Sequence, residues 1–287
     1  MSKAALLPGI GTPDKLRPVI ALHCSGSTGQ QWNRLALALG DCFALTAPDF
    51  IGSGATPQWS GEGRFTLADE AARIIEIIDA RDGPVHLVGH SYGGAVALHV
   101  AHARPTRIAS MALYEPCAFH VLHSLGPDGQ IALEEVTSVA GKIVHDVTDG
   151  DCDAAAAHFV DYWNGVGTWA GMKPEYRAEP LRYVANASRG FRALFDEPTP
   201  LAAYRRLACP VLLMRGELAP MPTALIAHAL FSVMPGAALE TIAGAGHMGP
   251  FSHSEIVNEK IAEHVLRAVG LDRLAGRDAP AQAQAVA

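Results

Sequence analysis

The chain has 287 residues, a formal net charge of −7, 49% hydrophobic residues and 18% charged residues. This is the composition of an ordinary globular protein with a sizeable core, and an acidic balance without a run of Lys or Arg excludes a nucleic-acid track. No apolar stretch approaches the ~18 residues of a membrane helix, and the apolar run before Pro8 is too short for a signal peptide.

In chain order, apolar strands alternate with helices. Residues 19–23 predict a strand ending in a Ser/Gly loop, 31–39 a helix, and 43–47 a second strand closing at Pro48-Asp49. Residues 67–81 carry Ala71, Ile74, Ile75 and Ile78 at helical spacing and stop before Gly83. Residues 85–89 read as a short buried strand and 95–101 as an apolar helix ending before Pro105; 108–114 is the next strand. After a long interruption, strand character resumes at 211–214, followed by a helix over 224–233, a strand over 239–242 and an amphipathic closing helix over 256–269. The fold class expected is α/β, a mostly parallel sheet with helices on both faces. The five cysteines are scattered and form no Cys-x-x-Cys pair, as expected of reduced thiols in a cytoplasmic protein. No metal-ligand cluster stands out, and no cofactor is expected.

Residues 119–205 break the alternation. They hold Phe159, Tyr162, Trp163, Trp169, Tyr176, Tyr183, Phe191 and Phe195, and they follow the strand that ends at Tyr114. An insertion there reads as a helical lid over the C-terminal edge of the sheet, where ligands bind in open α/β sheets. The alternative is a packed second unit with no role in binding. The expected organisation is a core over 1–118, a helical cap over 119–205, the rest of the core over 206–275 and a frayed Ala/Gln-rich tail over 276–287. Of the cap aromatics, Phe159, Trp163 and Trp169 are the candidates to wall a pocket.

Gly89-His90-Ser91-Tyr92-Gly93 sits where the 85–89 strand turns into the 95–101 helix. Gly-x-Ser-x-Gly on such a turn holds the serine hydroxyl exposed at the tip of a strained bend, with glycines where a Cβ would clash. The amide of Tyr92 then points at whatever Ser91 attacks. The alternative is a small-residue turn with Ser91 as a helix cap.

With these motifs in order, the chain resembles the α/β-hydrolase superfamily over roughly residues 18–269. His23-Cys24-Ser25-Gly26-Ser27 with Trp32 is similar to that fold's oxyanion loop, Asp49-Phe50-Ile51-Gly52-Ser53-Gly54 to its Asp-x-x-Gly-x-Gly turn, and Gly244-Ala245-Gly246-His247 to the loop bearing its catalytic histidine. The resemblance implies Ser91 as nucleophile, His247 as base, and an oxyanion hole from Cys24-Ser25 and Tyr92, with the Ser25 amide as donor. Two departures stand out. Cys24 replaces the usual Gly after His23, and the usual acid position, in Gly216-Glu217-Leu218-Ala219-Pro220, is Ala219. Two carboxylates are open as substitutes: Glu115, favoured because it directly follows the 108–114 strand, and Glu217, in the usual loop two residues early. A dyad or an inactive protein is the third possibility. The region before Val19 is short for the family's first antiparallel hairpin.

The expected function is therefore a serine hydrolase acting through an acyl-enzyme on a carboxylester or thioester of a small or medium apolar acyl group. The alternatives are a weak or inactive member that binds a small ligand, and a C–C bond hydrolase. A small-molecule substrate is the expected partner, with no nucleic acid and no membrane, for a monomer or homodimer.

Overall fold

The computed structural model describes residues 16–270. Among the described residues six strands form one sheet: β1 (Arg17–Leu22), β2 (Phe43–Thr46), β3 (Val85–His90), β4 (Ile108–Tyr114), β5 (Val211–Gly216) and β6 (Ala237–Ile242), in the order β2-β1-β3-β4-β5-β6. All five pairings are parallel. Most of the segment before Val19, short for the family's first hairpin, and the 276–287 tail lie outside the described residues.

Helices among the described residues are α1 (Asn33–Leu39), α2 (Leu67–Asp79), α3 (Tyr92–Ala103), α4 (Gly126–Thr148), α5 (Cys152–Asn164), α6 (Thr168–Gly171), α7 (Ala178–Val184), α8 (Ala187–Phe195), α9 (Met221–Val233), α10 (Gly249–Ser252) and α11 (Ser254–Ala268). The strand period of two sorts side chains onto two faces. Ile20, Leu22, Leu87, Met111 and Leu113 pack with Ile74 of α2, Val96 of α3 and Ile226 of α9. Val19, Ala21, Val88 and Ala112 pack with Leu35 of α1 and Val257, Ile261 and Val265 of α11. With both faces covered, β3 is buried along its whole length, which is why it reads as a continuous apolar run. Local signals fix the helix starts: Thr66 and Asp69 form a reciprocal capping box that opens α2.

Helices α4–α8 lie between β4 and β5 in the chain, although those two strands pair directly. Phe159 and Trp163 of α5 and Phe191 and Leu194 of α8 belong to the same apolar cluster as β3 and α3. The inserted helices thus share one core with that face of the sheet. Parallel strands bring their C-terminal ends to one edge, and the residues after β1, β3, β4, β5 and β6 are those from which the site is assembled.

Candidate active site

Ser91 lies between β3 and α3 at φ 56°, ψ −118°, a strained conformation for a residue with a Cβ. Hydrogen bonds hold it there. Its amide donates to the Tyr114 carbonyl at 3.0 Å, and its carbonyl accepts from the amides of Gly94 at 2.9 Å and Cys117 at 3.0 Å. The turn is tight enough to require its glycines: a Cβ on Gly93 would lie 2.4 Å from the Leu22 carbonyl oxygen, and one on Gly89 2.7 Å from the Gly93 carbonyl oxygen.

Three side chains meet at this edge. His247 Nε2 is 2.9 Å from Ser91 Oγ, and His247 Nδ1 is 2.7 Å from Glu115 Oε2. Glu115 also accepts from the Gly216 amide on Oε1 and from Thr223 Oγ1 on Oε2, each at 2.8 Å. A carboxylate that only accepts identifies Nδ1 as the protonated ring nitrogen and leaves Nε2 to accept from the Ser91 hydroxyl. Ser91, Glu115 and His247 are all buried. Glu115 reaches the histidine because β4 lies between β3 and β5 in the sheet, and because its backbone turns at φ 41° directly after the strand. Its amide donates to Met214 of β5 at 2.9 Å, anchoring that turn. Glu217, the other carboxylate weighed, is exposed and accepts from the Gly244 amide at 2.8 Å; it braces the histidine loop and does not touch the histidine. Ala219, at the usual acid position, carries no group that could replace it.

A second chain of hydrogen bonds ties the oxyanion loop to the histidine loop. The Cys24 amide donates to Gln31 Oε1, Gln31 Nε2 donates to His90 Nδ1, and His90 Nε2 donates to the His247 carbonyl, at 3.0, 3.0 and 2.9 Å. Burial, with His247 close by, holds the His90 imidazole well below its usual range, so it is neutral and can accept at one nitrogen and donate at the other. The Cys24 amide is thus committed to Gln31, and the amides of Ser25 and Tyr92 are the candidate donors. His23 lies outside proton transfer too. Burial lowers it to about 4, its Nδ1 donates to the Cys24 carbonyl at 2.7 Å, and its Nε2 accepts from the Phe50 amide at 3.1 Å. Asp49 accepts from the Gly29 amide at 2.8 Å and braces its turn.

Contacts that no local pattern signalled surround Ser91 and Tyr92. Cys117 Sγ is 3.3 Å from Ser91 Oγ. Burial pushes this thiol up, so it stays protonated, and either atom of the pair can donate to the other. The Tyr92 hydroxyl donates to Glu70 Oε2 at 3.1 Å, and Glu70 Oε1 accepts from the Ile51 amide at 2.9 Å. Burial pushes the Glu70 carboxyl up to about 7, against the pull of both donors.

A cavity of about 840 Å³ opens above Ser91 and His247 and is walled by Phe159, Val160, Trp163, Met172, Met248 and Phe251. The Trp163 ring lies over the His247 ring with centroids 4.0 Å apart. Phe159 and Trp163 thus stand where pocket walls were expected. Trp169 does not: its backbone and indole N–H groups donate to Asp161 and Asp153, Arg177 stacks on its ring at 4.7 Å, and it holds the inserted helices together. Sequence spacing carries no information on which way an aromatic ring faces. His253 pairs with Ser252 Oγ at 2.9 Å at the start of α11.

The alpha/beta hydrolase family model matches residues 19–260. The lipase LipV of Mycobacterium tuberculosis is 38% identical over 99 residues, covering 34% of this chain and 36% of that protein, so the chain matches only about a third of LipV's length. The non-heme chloroperoxidase of Streptomyces lividans is 27% identical over 254 residues, covering 86% of this chain and 91% of that one. Among solved structures, a thermophilic esterase from Thermogutta terrifontis superposes with a TM-score of 0.65 at 23% identity, covering 88% of this chain and 90% of that chain, a likeness of fold. The parallel sheet, the strained serine turn and the extent of the family match agree: the chain belongs to the alpha/beta hydrolase family.

Proposed function

We propose that the protein is a serine hydrolase that cleaves an ester-type bond, a carboxylester or thioester, through an acyl-enzyme on Ser91. The observation that carries this reading is the unbroken Ser91 Oγ–His247 Nε2, His247 Nδ1–Glu115 Oε2 chain, 2.9 and 2.7 Å, at the floor of the cavity. Nucleophile and base within hydrogen-bond reach, with the base oriented by a third group, is the geometry of an activated serine. The named lipase and esterase among the similar proteins favour the same class.

In this reading His247 Nε2 takes the Ser91 proton as Oγ attacks the substrate carbonyl carbon. The amides of Tyr92 and Ser25 receive the developing oxyanion, and Glu115 stabilises the imidazolium without taking its proton. Nε2–H then protonates the leaving oxygen or sulfur as its bond to carbon breaks. Water, deprotonated by the same nitrogen, attacks the acyl carbon, and Nε2–H returns the proton to Ser91 Oγ as the ester bond to the serine breaks and the acid is released. The inserted helices act as a cap that keeps the acyl-enzyme from bulk water.

Hydrolysis of p-nitrophenyl acetate by the wild type and by Ser91→Ala tests the reading. We expect kcat to fall on the order of 10⁶-fold in the variant. Equal rates, or no turnover by the wild type on any ester, leave a ligand-binding protein in its place.

A further inference from the structure

Two spaces of different size meet at Ser91. One is the 840 Å³ cavity, which includes His247, Met248 and Phe251 in its wall. The other is an apolar recess of about 10 Å³ lined by Cys117, Phe119, Phe191 and Leu194 together with Tyr183; His247 is not in its wall. Both share Ser25, Ser91, Phe159 and Trp163, so they are two sides of one reaction centre. About 10–15 Å³ of such volume holds a single water, the size of one methyl group. The walls have little room to give: Cys117, Phe119, Phe191 and Leu194 are all buried in the common core, and Phe119 packs on Phe195, which stacks on Phe191.

The chemistry says which part of a substrate lies on which side. The leaving atom must receive its proton from His247 Nε2, so the leaving group departs on the histidine side, into the large cavity. The acyl substituent then points away from His247, into the recess. On the serine-hydrolase reading above, we infer that this enzyme selects esters of acetyl- to propionyl-sized acids with bulky alcohols. The wall of the large cavity also includes Asn164, Lys173, Glu175 and Glu179. It can therefore take an alcohol that carries polar as well as apolar groups.

Two ester series test this. Along p-nitrophenyl acetate, butyrate and octanoate the leaving group is constant, and kcat/KM is expected to fall roughly tenfold or more from acetate to octanoate. Along ethyl, butyl and octyl acetate the acyl group is constant, and kcat/KM is expected to rise. Leu194→Ala widens the recess and is expected to shift the first series toward butyrate. A wild-type preference for octanoate over acetate that disappears in Ser91→Ala overturns the partition and leaves the serine-hydrolase reading standing. Ester cleavage that survives Ser91→Ala, or is absent from the wild type, overturns both. Because the wild-type series decides the matter, a Leu194→Ala protein that fails to fold changes nothing.

Discussion

Glu70 is a carboxyl buried behind the oxyanion loop, with an amide and a phenol as its donors. Its ordinary value of 4.5 is raised to about 7 in the folded chain, mainly by burial. Between these values the folded state holds a proton that the unfolded state has lost. This group therefore contributes stability at acid pH that is lost as pH rises through about 7. The full effect is on the order of 3 kcal/mol. Glu70→Gln keeps an acceptor for the Ile51 amide and offers an N–H to the Tyr92 oxygen without a charge to bury. We expect urea denaturation to show the variant gaining on the wild type between about pH 5 and about pH 8, in proportion to that lost proton. A wild-type minus variant difference that stays constant across this range contradicts the assignment.

At the scale of elements, the serine turn is where backbone meets backbone. Gly93 places α3 against the end of β1, and a Cβ there would sit 2.4 Å from the Leu22 and 2.5 Å from the His23 carbonyl oxygens. Neither obstacle is a side chain that can rotate away. Gly93→Ala is expected to destabilise the fold by on the order of 4 kcal/mol, because α3 must leave the sheet. Gly141 lies inside α4 with nothing near its would-be Cβ, and Gly141→Ala is expected to stabilise by about 0.5–1 kcal/mol. Thermal denaturation of both variants checks the contrast; a stable Gly93→Ala protein would mean the turn has slack that these distances deny. The inserted helices show the other side of element-level reasoning. Their aromatics mark an apolar segment, but Trp163 lies on His247 while Trp169 is tied to Asp153, Asp161 and Arg177. Helical spacing alone cannot separate those two fates.

Across the whole molecule, what could be read from sequence was what depends on local pattern. Strand and helix runs fall within a few residues of their predicted places, because both faces of the sheet are covered and apolar runs therefore mark strands. The serine turn and the His247 loop were visible for the same reason, as short motifs with local backbone demands. The identity of the acid was not settled by pattern, since Glu115 and Glu217 each follow a strand at the same edge. Only the lateral order β3-β4-β5 and the direction of each side chain separate them, and neither is a local property. Thr223 and the Gly216 amide, which hold Glu115, come from 108 and 101 residues away in the chain. The Gln31–His90 link that occupies the Cys24 amide likewise spans 59 residues.

In the proposed mechanism a carboxylate from the end of β4 serves in place of the one missing after β5. Steady-state ester hydrolysis by Glu115→Gln and Glu217→Gln, each verified as folded, addresses it most directly. Glu115→Gln is expected to lower kcat by on the order of 10⁴, because an amide no longer holds the imidazole in the required tautomer or balances its charge. Glu217→Gln should stay within about a factor of ten of the wild type, since its carboxylate only braces Gly244. The reverse ranking, or an unchanged kcat in Glu115→Gln, would contradict the assignment of Glu115 as the acid.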